Sequence, residues 1–206
     1  MSAELLLIFQ ILVLLFSVAI HEVSHGLAAL RCGDDTAERL GRLSLNPLKH
    51  LDPIGSVVLP LLLILMKSGF VFGWAKPVPY NPLKLKNPRR DTALLAFAGP
   101  LANFSVALIF GLIIRTIMIT SSFVSLLPFL IIIVQVNLIL GVFNLMPIPP
   151  LDGSKILFYF FPSSKLEMFL SQYGLIIFFF FILFAGDVIL SLVSVFFSLF
   201  TGIPLG

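Results

Sequence analysis

Four long, predominantly apolar stretches, Leu5–Leu30, Thr92–Ile114, Phe123–Phe143 and Tyr173–Phe200, constrain this chain more than any other feature. A bilayer's hydrocarbon core is about 30 Å thick and takes about 20 apolar residues of helix. Backbone groups at that depth must pair within the protein, so a run of this length crosses as a helix. The expected fold is an all-α polytopic membrane protein with four clear spans. The last stretch is long enough to tilt, or to break near Gly186-Asp187 and raise the count to five or six. Composition agrees: 59% of the 206 residues are hydrophobic and 11% are charged, against about a quarter charged in soluble domains. That excludes a soluble domain and a disordered chain. A net charge of +3 from scattered Lys and Arg excludes a nucleic-acid-binding stripe. Cys32, the single cysteine, has no internal partner and reads as a small apolar side chain.

Between the first two spans the pattern changes. The apolar run Ile54–Met66 is short for a span and is expected to be re-entrant or interfacial. After it, Gly69–Pro82 sets Val71, Phe72, Trp74, Val78 and Tyr80 among Gly and Pro, which predicts a membrane-associated strand or hairpin. Ten cations from Arg31 to Arg90 fall between the first and second spans, whereas the connection after Ile114 holds only Arg115. Cytoplasmic loops carry the Lys and Arg excess. The N-terminus is therefore expected outside, with residues 31–90 on the cytoplasmic side and Lys155 and Lys165 returning there. The first segment lacks a basic start and exceeds a signal sequence's apolar core, so it reads as a permanent helix. Residues 1–206 are expected to form a single membrane domain, with a core over 5–160 and a C-terminal helical segment over 173–200.

Inside the first span stand His21, Glu22 and His25, where apolar residues would cost least. Ionisable groups in a span are candidates for function. Two histidines four residues apart lie about 40° apart around a helix, so both imidazoles can reach one Zn²⁺. Glu22 is close enough to act on a metal-bound water without being a ligand. This is the H-E-x-x-H arrangement. Starting from Leu5, the pair lies about 24 Å along the helix, inside the bilayer near the cytoplasmic face.

A catalytic zinc keeps three protein ligands and one open position. Asp34, Asp35, Glu38, His50, Asp52, Asp152 and Asp187 are all candidates for the third. Asp152 stands out because Pro147, Pro149 and Pro150 forbid a continuing helix just before it, and irregular backbone at membrane depth belongs beside a cavity. His50 and Asp52 read as loop-shaping residues, and Asp187 as structural. Asn144 precedes the break, and Asn137 lies seven residues earlier on the same helix face. The two amides either grip an extended peptide backbone or hold the helices together.

Three motifs in order, His21-Glu22-Val-Ser-His25, Ala98-Gly99-Pro100-Leu-Ala-Asn103 and Asn144-x-x-Pro147-x-Pro149-x-Leu151-Asp152-Gly153, resemble the site-2 protease family of intramembrane zinc metalloproteases. Asn46–Gly55 and Gly73–Pro79 also fit its prokaryotic branch, which has no PDZ or CBS domains. The likeness covers about Leu5 to Phe160, with small departures at Pro150 and Ser154. It implies His21, His25 and Asp152 as ligands to one Zn²⁺ per chain, and Glu22 as general base. It implies substrate contacts from Asn144 and Asn137, and from the strand that carries Trp74, with Asn103 packing or gating beside the site. The implied activity is regulated intramembrane proteolysis of transmembrane protein substrates in a prokaryotic cell membrane. Alternatives are a divalent-metal transporter, which would show internal repeats, and a catalytically idle protein that binds membrane segments. The sequence leaves the oligomeric state open.

Overall fold

The computed structural model describes residues 2–66 and 73–205. Helix α1, Ala3–Arg31, is capped by the Ser2 hydroxyl, which accepts from the Leu5 amide. The short α2, Thr36–Arg39, follows. A 3-10 turn over Pro47–His50 is capped by the Asn46 side chain. Asp52 then caps a π-helical turn over Pro53–Val58, accepting from the amides of Ile54 and Gly55. That turn runs into α3, Leu59–Leu65. Beyond an extended segment over residues 73–81 come α4 (Pro88–Thr120), α5 (Leu127–Asn144), α6 (Asp152–Phe160), α7 (Ser164–Phe184) and α8 (Gly186–Thr201).

Four helices among the described residues are long and apolar enough to cross a membrane: Ala3–Arg31, Pro88–Thr120, Val124–Asn144 and Ser164–Phe184. Their large side chains largely face outward, as Leu7, Ile8, Ile109 and Leu175 do, which suits a surface solvated by lipid tails. The expected C-terminal segment is two helices. Ser163 caps α7 ten residues before Tyr173, and the chain breaks at Ala185 before α8 begins at Gly186.

The hairpin expected over Gly69–Pro82 is not supported. Residues 69–72 lie outside the described residues. Those from 73 onward make one isolated antiparallel bridge, Leu51 to Ala75, and no strand. Proline explains this: Pro77 and Pro79 have no N–H to donate, so a ladder cannot extend along the segment. The helix over Pro53–Leu65 covers about 20 Å, short of a hydrocarbon core.

Helix α4 is the hub, packing against α1, α5, α6 and α8. The core joins Ala107 and Ile114 of α4, Val134, Leu138 and Val142 of α5, and Val193 and Phe197 of α8. In a bilayer such packing supplies dispersion contacts rather than escape from water. One polar layer crosses it. Asn103 of α4 donates to Asn137 Oδ1 at 2.9 Å, and Asn137 donates to the Ser17 hydroxyl of α1, also at 2.9 Å. All three residues are buried, and the layer ties three helices together directly behind His21.

Candidate active site

Position 21 begins the geometry. His21 Nδ1 donates to Asn103 Oδ1 at 2.6 Å. The direction is fixed by Asn103, whose amide nitrogen is already donating to Asn137 and to the Ser17 carbonyl. His25 Nδ1 donates to the Leu95 carbonyl at 2.6 Å. Just beyond, Pro100 of α4 withholds the N–H that a helix would offer the Ala96 carbonyl. Both imidazoles thus carry their proton on Nδ1 and present a bare Nε2 lone pair on the same side.

Asp152 meets them there. Its Oδ2 lies 3.2 Å from His21 Nε2 and 3.0 Å from His25 Nε2. Three lone-pair atoms facing one another repel unless a cation lies between them. The edges of a tetrahedral zinc site with ligand distances near 2.0–2.1 Å are about 3.3 Å, close to these separations. Outer partners that fix a ligating imidazole are what a metal site requires, and here they are Asn103 and Leu95. Gly99 supplies the room: a Cβ there would lie 2.5–2.6 Å from His25 Cε1 and both Nε2 atoms. The donor set therefore fits Zn²⁺.

Glu22 Oε2 accepts from the Val78 amide at 2.7 Å. The extended segment reaches Glu22 because Gly26, one turn on, has no side chain; a Cβ there would lie 3.0 Å from Val78 Cγ1. Ligand atoms of His21, Glu22 and His25 all lie within 4.8 Å of one another. Arg42 holds the same segment from outside, donating to the Lys76 and Pro77 carbonyls.

These groups face a cavity of about 210 Å³ whose walls include Pro77–Tyr80, Asn144 and Lys155. Asn144, the last residue of α5, spends its amide nitrogen on the Leu140 carbonyl at 3.0 Å. Asn137 and Asn103 are not in the cavity wall; the structure puts both in the buried polar layer. Trp74 also lies apart from the cavity, its backbone N–H bonded to the Gly55 carbonyl and its ring against Gly55. The other third-ligand candidates have different places. Asp34 accepts from Thr36 and from the Asn81 amide, Asp52 caps the π turn, and His50 Nε2 donates to the Ser44 carbonyl. Asp187 is exposed at the start of α8.

Sequence reasoning missed Lys155, whose ammonium lies 3.2 Å from Asp152 Oδ1. Its position three residues after Asp152 at the head of a helix was the available signal. The Leu95 carbonyl and Val78 amide are backbone groups and carry no side-chain signature.

Fold and site together define a polytopic membrane protein with a His, His, carboxylate centre at the meeting of α1, α4 and α6. A family model for peptidase family M50 matches residues 9–120 and 112–186, and the chain belongs to that family, the site-2 proteases. It is accordingly a membrane metalloprotease.

The chain is 37% identical over 179 residues to "Putative zinc metalloprotease YwhC" of Bacillus subtilis (strain 168), covering 82% of this chain and 78% of that protein. It is 34% identical over 147 residues to "Putative zinc metalloprotease Rip2" of Mycolicibacterium smegmatis. With the Rip2 of Mycobacterium tuberculosis (strain H37Rv) it shares 31% over 144 residues. The two Rip2 matches each cover 68% of this chain and 52% of the relative, so the chain spans about half their length. No solved structure matches it.

Proposed function

We propose that this metalloprotease hydrolyses peptide bonds within or near transmembrane segments of other membrane proteins, with one Zn²⁺ per chain held by His21, His25 and Asp152. The observation that carries this reading is the convergence of two imidazole Nε2 atoms on one carboxylate oxygen inside a helical bundle. Zinc in that position supplies a Lewis acid that activates water and polarises the scissile carbonyl. Glu22 takes the proton from the attacking water and returns it to the departing amine. The Val78 N–H holds one of its oxygens, which leaves the other for that proton. Asn144, one of whose amide N–H groups is bonded to the Leu140 carbonyl, offers its side-chain oxygen to a substrate N–H.

A helical substrate hides its carbonyls, so it unwinds before it enters the cavity. The segment over residues 73–81 can add an extended peptide along its open edge, but only in part, since Pro77 and Pro79 have no N–H and the Lys76 and Val78 N–H groups bond within the protein. His21 lies about 27 Å along α1 from Ala3. With the loop cations on the cytoplasmic side, the cavity opens near that face of a prokaryotic cell membrane and the N-terminus lies outside. This is the chemistry of regulated intramembrane proteolysis.

The test is Glu22→Gln in purified full-length protein, with a panel of transmembrane-segment fusions as substrates and a chelator control. The variant is expected to keep one zinc per chain and lose cleavage. Cleavage that survives both the substitution and the chelator overturns the reading.

A further inference from the structure

Lys155 stands one turn along α6 from Asp152 and divides that carboxylate with the histidines. Asp152 Oδ2 faces the two Nε2 atoms at 3.0 and 3.2 Å, while Oδ1 faces the Lys155 ammonium at 3.2 Å. The same ammonium lies 6.0 Å from the centroid of the Tyr80 ring, within cation–π range. Among the described residues that line the active-site cavity, Lys155 is the only Lys or Arg, and Glu22 and Asp152 are the carboxylates. A second cavity, of about 250 Å³, shares Thr92 and Lys155 with the first and carries Arg89 and Glu167 on its far wall. Lys155 is thus part of the wall common to both.

Peptide hydrolysis makes a charge that the substrate did not have. The C–N bond breaks, the oxygen of water bonds to the acyl carbon, and both protons of water end on the nitrogen. The products are a carboxylate and an ammonium. The new carboxylate arises in a space that already holds Glu22 and Asp152, where like charge opposes it. Asp152 Oδ1 takes one of the three N–H donors of the Lys155 ammonium, which leaves donors for a second carboxylate. We propose that Lys155 is a product-binding residue: its ammonium takes the newly formed C-terminal carboxylate and draws that fragment toward the second cavity. The inference rests on the hydrolytic reading above and adds a residue to it.

The experiment uses zinc-loaded Glu22→Gln protein, which binds without turnover. Two fluorescent apolar peptides are titrated, identical except that one ends in a free carboxylate and the other in a carboxamide. The acid is expected to bind more tightly. Adding Lys155→Met is expected to lower the acid-to-amide affinity ratio about tenfold, the size of one charge-assisted hydrogen bond, and Lys155→Arg is expected to restore it. Zinc content and thermal unfolding confirm that the variants are folded. An unchanged ratio in Lys155→Met, an equal loss for both peptides, or no preference for the acid in the parent overturns the proposal. Cleavage by the wild-type protein alongside an unchanged ratio overturns the role of Lys155 alone. Absence of cleavage overturns the hydrolytic reading, and this inference with it.

Discussion

His21 donates its Nδ1 proton to Asn103 Oδ1 at 2.6 Å, and this single contact fixes which nitrogen of the imidazole faces the metal position. Asn103 cannot turn round, because its other end donates to Asn137 and to the Ser17 carbonyl. Outer-sphere partners of this kind typically change metal affinity by about 10–100-fold. Asn103→Leu is therefore expected to weaken zinc binding by about that factor in a chelator competition. Asn137→Leu, one contact further out, is expected to have a smaller effect on zinc and a larger one on thermal unfolding. Equal zinc affinity in wild type and Asn103→Leu would show that the tautomer is set elsewhere.

Gly99 lets α4 approach the histidines. Alanine would stabilise an isolated helix by about 1 kcal/mol, yet here its Cβ would come within 2.6 Å of both Nε2 atoms. Neither imidazole can retreat without giving up Asn103 or Leu95. Gly99→Ala is expected to retain helical circular dichroism and lose zinc, with proteolytic activity down at least about 100-fold, the scale of a misplaced site. Normal zinc content in this variant would refute the packing argument.

The spans and the metal-binding motif were legible in the sequence because both rest on short-range rules. A run of about 20 apolar residues has one outcome in a bilayer, and H-E-x-x-H has one geometry on a helix. Asp152 was legible through the prolines before it. From residue 73 on the expected hairpin is not supported, because Trp74, Val78 and Tyr80 carry strand propensity while Pro77 and Pro79 remove the donors that a ladder needs. Packing was among the roles read for Asn103, but which of its two open roles Asn137 takes was hidden for another reason. A buried amide looks the same in sequence whether it meets substrate or a neighbouring side chain, and only the long-range pairing of α1, α4 and α5 distinguishes the two. Lys155 read as a loop cation because charge patterning reports the side of the membrane and not the cavity.

The Val78 amide gives a way to test how Glu22 is held. Val78 precedes Pro79 and is already confined to extended backbone, so Val78→Pro removes the N–H that Glu22 accepts with little change of chain path. Val78→Ala keeps the N–H and removes the side-chain packing. If the amide orients the general base, the proline variant is expected to lose about 100-fold in kcat with zinc content unchanged, and the alanine variant much less. Similar kcat values for the two would assign Val78 a packing role alone.

Asp34 makes a prediction about pH. It lies in the loop between α1 and α2, where burial pushes its carboxyl up. The Thr36 hydroxyl and amide, the Asn81 amide and the Lys84 charge outweigh that effect and hold it below the ordinary carboxylate value. A group whose pKa is lower folded than unfolded adds stability above its unfolded pKa, near 3.9, and that stability disappears as pH falls through the folded value. The contribution is therefore complete at neutral pH and fades only below about pH 4. Asp34→Ala leaves the Thr36 and Asn81 donors unpaired beside α1 and is expected to cost about 2 kcal/mol at pH 7. Thermal unfolding of the detergent-solubilised pair is the measurement. The gap between wild type and variant is expected to stay constant from pH 8 to 5 and to narrow below 4. A gap that widens toward acid would mean that Asp34 is protonated in the folded protein.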